Sequence, residues 1–320
     1  MNSISLAEIQ AASAIIRPTL PPTPQYAWPL LGARAACEVW VKHENHTPIG
    51  AFKLRGGLYY LHRFKAEGRH SAGLVSATRG NHGQSLALAC GIHGVPVTIV
   101  VPRGNSQEKN AAMRALGAEL IEHGEDFDAA REFALQLSVD RKLEMVPAFH
   151  RDLVVGVATY ALELFSAVPA LATVYCPIGI GSGISGLIRV RDLLGLATEI
   201  IGVVAENAPA YALSFAANRI ITTPTATTLA DGVACRIPAE DAFAEIQRGA
   251  ARILQVSERE IVKAMQAYFT DTHSLAEGAG AAALAGLLQE RNRQRGQRVA
   301  VILSGGNIDR ELYLKLLRTH

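Results

Sequence analysis

The chain has 320 residues, 49% of them hydrophobic, enough to bury the cores of two domains. Its 31 basic and 29 acidic residues leave a formal net charge of +2, and the two signs are mixed along the chain, which excludes the footprint of nucleic acid or an anionic membrane. Four scattered cysteines without CxxC or ligand spacing read as reduced thiols of a cytosolic protein, and no apolar run is long enough to span a bilayer.

In chain order, residues 1–16 (MNSISLAEIQAASAII) read as an amphipathic helix containing Glu8, not as a signal peptide. The stretch Arg17-Pro18-Thr19-Leu20-Pro21-Pro22-Thr23-Pro24 cannot be helix interior and is expected as an extended connector. Strands are expected at 38–42, 73–76, 97–101, 119–121, 143–146, 173–177, 200–205 and 298–303. Helices are expected between them, at 81–90, 106–116, 127–137 and 153–165. This alternation predicts an α/β fold with mainly parallel sheets. Residues 222–230 (TTPTATTLA) form a second irregular region, either bordering a cleft or serving as a surface loop.

Four segments carry chemistry. The first, Gly50-Ala51-Phe52-Lys53-Leu54-Arg55-Gly56-Gly57, sets a lysine between an aromatic residue and glycines. A buried lysine has a depressed pKa and suits imine formation with an aldehyde, although a surface lysine at a helix start would read the same way. The second, Ser76-Ala77-Thr78-Arg79-Gly80-Asn81-His82-Gly83-Gln84, joins a strand to a helix whose N-terminal N–H groups suit an anion such as a carboxylate. Asn81 alone would also serve as a helix cap.

The third, Gly179-Ile180-Gly181-Ser182-Gly183-Ile184-Ser185-Gly186, follows a strand and can cradle a phosphate. Gly181, Gly183 and Gly186 also satisfy G-x-G-x-x-G, and Glu206 ends the next strand, where a dinucleotide fold keeps its ribose-binding acid. An NAD-dependent oxidoreductase is therefore a rival on spacing alone. The fourth, Leu303-Ser304-Gly305-Gly306-Asn307, ends the last strand, where ligands of open α/β sheets bind. It also makes an ordinary turn.

In this order and spacing the four segments resemble the fold-type II pyridoxal-5′-phosphate (PLP) enzymes, and within them the threonine/serine dehydratase and serine racemase family. The resemblance runs from about Arg17 to Arg318. It includes Val41-Lys42-His43-Glu44-Asn45, Ala230-Asp231-Gly232-Val233 and Glu277-Gly278-Ala279-Gly280, and the ordered set displaces the NAD reading.

The resemblance implies two open, twisted, mainly parallel sheets flanked by helices, tryptophan-synthase-β-like, with the cofactor in the interdomain cleft. A large PLP-binding domain (1–45 and 151–320) would carry an inserted, mobile small domain (46–150). It implies that Lys53 holds PLP as a Schiff base and moves the α-proton, and that Phe52 packs by the pyridine ring. Asn81 would hydrogen-bond the ring hydroxyl, and Ser304 the pyridine nitrogen. Ile180, Gly181, Ser182 and Gly183 would hold the phosphate, while Thr78, Arg79, Gly80, Asn81 and His82 receive the substrate carboxylate.

The implied activity is dehydration and deamination of a β-hydroxy amino acid such as L-threonine, L-serine or 3-hydroxyaspartate, giving a 2-oxo acid and ammonia. A racemase or β-replacement synthase is the alternative within the fold. The resemblance also implies a cytoplasmic homodimer. The chain departs from the family pattern at Ile49 and Ala51, where hydroxyl residues are usual. It also departs at Arg79, where racemases place a serine. A guanidinium is a poor proton shuttle, so racemisation is disfavoured, and Arg79 is expected to pair either with a second substrate carboxylate or in a structural salt bridge. Glu206 stands where some members bind a divalent cation, but Ala212 replaces the expected aspartate, and one carboxylate is a thin ligand set, so no metal is expected. The segment after Ser304 is short, which leads us to expect a catabolic enzyme without amino-acid feedback.

Overall fold

The computed structural model describes residues 4–69 and 71–319. Residues 1–3 of the expected first helix lie outside them. The strands are β1 (Gln25–Ala27), β2 (Glu38–His43), β3 (Leu74–Ala77), β4 (Val97–Val101), β5 (Glu119–Glu122), β6 (Glu144–Met145), β7 (Thr173–Pro177), β8 (Glu199–Ala205), β9 (Arg252–Val256) and β10 (Arg298–Leu303). The helices preceding β7 are α1 (Leu6–Ile16), α2 (Pro29–Ala35), α3 (Lys53–Ala66), α4 (Asn81–His93), α5 (Gln107–Ala115), α6 (Phe127–Asp140) and α7 (Arg151–Ala167). Those following it are α8 (Ser182–Leu193), α9 (Ala210–Ala217), α10 (Glu240–Gly249), α11 (Glu258–Thr272), α12 (Gly278–Gln289) and α13 (Arg310–Leu317).

The strands form two sheets, ordered β1-β2-β10-β7-β8-β9 and β5-β4-β3-β6. Every pairing is parallel except that of β1 with β2. The expected α/β architecture with mainly parallel sheets is therefore present. Parallel strands are buried on both faces and read as unbroken apolar runs. Val97-Thr98-Ile99-Val100-Val101 is such a run, buried throughout.

Two strands had no counterpart in the sequence reading. β1 is a three-residue antiparallel edge, and β9 is a half-exposed edge, so neither shows the apolar signature. The proline stretch is extended only in its second half. Thr19 and Leu20 donate their N–H groups to the Ile16 carbonyl, closing a turn after α1. Residues 222–230 are irregular apart from bends.

Both sheets reverse their strand order. In the larger one the chain runs from β7 outward to β8 and β9, then returns to place β10 on the other side of β7. In the smaller one β4 and β5 lie to one side of β3, and β6 to the other. The carboxyl ends of β7 and β10, and of β3 and β6, therefore open into crevices at switch points. The loops leaving β3, β7 and β10 are three of the four segments singled out above. Helix α7 packs against both α3, which begins at the lysine segment, and α8, which begins at the glycine loop. Glycine permits this: a Cβ on Gly156 of α7 would sit 2.3 Å from the Arg55 carbonyl oxygen of α3.

Candidate functional site

The lysine segment is fastened to the end of β10 by its backbone. Phe52 N–H donates to the Ser304 carbonyl at 3.0 Å, Gly306 N–H donates to the Gly50 carbonyl at 2.9 Å, and Ala51 bridges Gly305. Helix α3 starts at Lys53, whose own carbonyl accepts from Ser85 Oγ at 2.6 Å. The result is one cleft lined by Phe52, Lys53, Gly179–Gly183 and Ser304.

The Lys53 residue keeps some exposure to that cleft. Its amine nevertheless has no salt bridge among the described residues. Nζ lies 3.4 Å from Ser182 Oγ and 5.0 Å from the Phe52 ring centroid. Burial without a counter-ion lowers its pKa to about 8, as expected when only desolvation acts on an ammonium.

The glycine loop is held from behind by two phenols. Tyr211 donates to the Ile180 carbonyl at 2.7 Å and Tyr160 to the Gly183 carbonyl at 2.8 Å. Gly181 caps α8 with φ +108°, and a Cβ there would meet the Ala242 Cβ at 2.7 Å. With these carbonyls engaged, the loop can present the unpaired N–H groups of the α8 N-terminus to an anion.

Across the cleft, the β3 loop brings Thr78, Arg79, Gly80, Asn81 and His82 together. Gly80 rather than Asn81 occupies the cap position of α4, so the capping explanation for Asn81 is set aside. Asn81 instead donates from Nδ2 to Glu277 Oε1 at 2.7 Å and accepts from Asn307 Nδ2 at 2.8 Å. Thr78 Oγ1 accepts from Gly80 N–H at 3.1 Å. His82 is buried, and its Nε2 has no partner. Burial and the Lys53 charge push its pKa down to about 3, so the imidazole is neutral. Arg79 is exposed.

A charged cluster behind Asn81 went unrecognised in the sequence. Lys109 of α5 pairs with Asp231 at 2.5 Å and with Glu277 at 3.8 Å. Burial raises the Glu277 pKa, Asp231 adds to the rise, and Lys109 opposes it. Its Oε2 is buried without a hydrogen-bond partner. The segments containing Asp231 and Glu277 were noted, but Lys109 sits in an otherwise ordinary amphipathic helix. Nothing in its local sequence marks it, because its partners lie more than 120 residues away.

Glu206 lies elsewhere. It is exposed at the end of β8 and borders an open cleft of about 500 Å³ with Asn207, Pro209, Thr223, Pro224, Thr225 and Thr227. Ala212 is buried, and no group of three or more metal-ligating side chains occurs among the described residues. The dinucleotide reading fails on the same placement. The glycine loop opens on Lys53 and Ser304, whereas Glu206 borders the other cleft.

These residues fit a phosphorylated aldehyde. A low-pKa amine faces a glycine cradle, Ser304 lines the same space, and an unpartnered imidazole nitrogen stands at an anion-ready helix end. Comparison with known proteins agrees. Residues 16–305 match the family described as pyridoxal-phosphate dependent enzyme. The chain is 33% identical over 307 residues to an L-threonine ammonia-lyase of Thermotoga maritima, covering 96% of this chain and 76% of that protein. It is 30% identical over 311 residues to an L-threo-3-hydroxyaspartate ammonia-lyase of Saccharomyces cerevisiae, covering 97% and 95%. Among solved structures, maize serine racemase superposes with a TM-score of 0.91 at 25% identity, covering 98% and 96%.

Proposed function

Because this chain belongs to the pyridoxal-phosphate dependent enzymes, we propose that it is a PLP-dependent ammonia-lyase. It removes water from a β-hydroxy amino acid, and the product hydrolyses to a 2-oxo acid and ammonia. The observation that carries this reading is the Lys53 amine, buried without a counter-ion, facing the Gly179–Gly183 loop and Ser304 in one cleft.

When bound, PLP supplies an electron sink for the pair left at Cα after proton removal. The chain's own residues do the rest. Lys53 holds the cofactor by its amine and carries the α-proton. The glycine-loop amides would hold the phosphate. Ser304 would offer the ring nitrogen a neutral hydroxyl rather than a carboxylate. Asn81, fixed by Glu277 and Asn307, would hydrogen-bond the ring hydroxyl, and Phe52 would pack by the ring. The β3 loop and His82 take the substrate carboxylate. Arg79, a fixed cation where racemases of the family place a serine, makes a poor second proton carrier, which favours elimination over racemisation.

The same proposal includes a homodimer in the cytoplasm and a mobile small domain, 46–150. The four described cysteines are free and buried, as suits a reducing compartment. Among the described residues no helix is long and apolar enough to cross a membrane.

The direct test is assay of the holoenzyme against a panel of β-hydroxy amino acids without added nucleophile. The expected result is stoichiometric 2-oxo acid and ammonia. Stereoinversion alone, or turnover only with an added thiol, would replace this reading with a racemase or a synthase.

The Lys53 pKa of about 8 also predicts how apoenzyme takes up PLP. Only the neutral amine attacks an aldehyde. The initial rate of imine absorbance should therefore climb about tenfold per pH unit below 8 and level off above it. A rate still climbing at that slope up to pH 10 would mean the amine is an ordinary solvated lysine.

A further inference from the structure

We infer that Asn307 and Glu277 are positioning residues that lock the Asn81 amide with one N–H turned to the cofactor's ring oxygen. The inference rests on the PLP reading of the cleft and adds two residues to its machinery. Asn81 and Ser85 stand one turn apart on the same face of α4. Ser85 Oγ donates to the Lys53 carbonyl at 2.6 Å, so that face turns to the lysine segment. Glu277 sits against the cleft wall. Its backbone N–H donates to the Gly305 carbonyl at 3.1 Å, and a Cβ on Gly305, next to Ser304, would lie 2.5 Å from its Oε1.

The orientation of both amides follows from what the two ends of this chain of hydrogen bonds can do. Asn307 Nδ2 donates to the Ile49 carbonyl at 2.7 Å and to Asn81 Oδ1 at 2.8 Å. A backbone carbonyl only accepts, so Asn307 has to turn its amide nitrogen to it. Asn81 then meets a donor and answers with Oδ1. Its Nδ2 points the other way, to Glu277 Oε1 at 2.7 Å. Turning over either amide would set acceptor against acceptor or donor against donor at these distances. Oε1 stays an acceptor whether or not Glu277 is ionised, since a proton can sit on Oε2, which has no hydrogen-bond partner.

Asn81 Nδ2 carries a second N–H, and no acceptor for it occurs among the described residues. A donor locked in this way stabilises an anionic oxygen placed before it. Because Ser304 would bring no charge to the ring nitrogen, the ring oxygen is where these side chains can set the electronics of the cofactor.

The test reads holoenzyme absorbance at neutral pH, as the ratio of the yellow band of the ionised ring oxygen to the near-ultraviolet band of the protonated one. PLP content and melting temperature are measured for each protein. Asn307→Ala and Glu277→Ala should each lower the ratio about 10-fold, the effect of losing a hydrogen bond to a charged oxygen. Glu277→Gln, which keeps an acceptor oxygen, should retain the wild-type ratio. In an Asn81→Ala background neither alanine substitution should lower the ratio further, since both act through that amide. An unchanged ratio in the alanine variants would overturn the inference while leaving the PLP reading intact. So would a further fall in the Asn81→Ala background, or loss of PLP binding by an alanine variant where Asn81→Ala still binds it, because either would assign these residues a structural role. A wild type that takes up no PLP would instead remove the reading beneath the inference.

Discussion

Replacing Lys53 by alanine should lower 2-oxo acid formation from every β-hydroxy amino acid by at least about 10³-fold. In the proposed mechanism one side chain serves as both the covalent anchor and the proton carrier, and general acid–base catalysis alone accounts for about 10²–10⁴. The loss will not reflect unfolding. The Lys53 amine is buried with no carboxylate beside it, and its pKa falls to about 8 from the 10.5 expected of an unfolded chain. Between those values the unfolded state binds more protons, so the cost of burying the charge is present in full below pH 8 and disappears by about 10.5. Truncation removes that cost at neutral pH. The apo variant should melt within a few degrees of wild type, and an added primary amine should restore a small part of the turnover. A variant retaining a tenth of wild-type activity would show that another group carries the proton.

Arg55→Met should be the most damaging single change to stability, by about 3–5 kcal/mol, the usual cost of orphaning one side of a buried ion pair. Arg55 is fully buried, two residues beyond Lys53 on α3. Its guanidinium reaches Glu44 of the β2 exit at 2.7 Å and Glu163 of α7 at 2.7 Å. Lys42 completes the group, 2.6 Å from Glu163 and 3.9 Å from Glu44. Burial alone would raise the Glu44 pKa, but Arg55, Lys42 and the Thr23 hydroxyl outweigh it and hold the carboxyl below its usual range. The network's contribution is therefore present above the ordinary carboxylate pKa and is lost as pH falls through the depressed value.

Arg55→Met leaves Glu44 with only Thr23 and a distant Lys42. Thermal unfolding at pH 7 should drop by roughly 5–15 °C, and PLP should bind more weakly, because the first turn of α3 loses its tie to β2. Adding Glu44→Leu should recover part of the loss, since apolar replacement of a buried pair is often near neutral. An Arg55→Met protein melting like wild type would show that the network contributes nothing net.

What could be read from the sequence follows from what each residue contacts. β4, β7 and β10 are enclosed on both faces, so burial is written directly into their apolar runs. β1 and β9 are edges with mixed exposure and leave no such trace. The cleft segments are legible because glycine, lysine and asparagine in fixed order are costly choices that local structure alone does not demand. Lys109, Tyr160 and Tyr211 are not legible. Each is unremarkable within its own helix, and its significance comes from a partner on a distant loop. The likeness of the glycine spacing to a dinucleotide motif misleads for the same reason: what faces the loop decides its ligand, and here that is an amine from α3.

The covalent attachment itself is the most direct thing to measure. Native holoenzyme reduced with borohydride, digested and mapped by mass spectrometry should carry one reduced pyridoxyl phosphate per chain, on the peptide containing Lys53. Label on any other lysine, or a protein that acquires no label after incubation with PLP, would contradict the account.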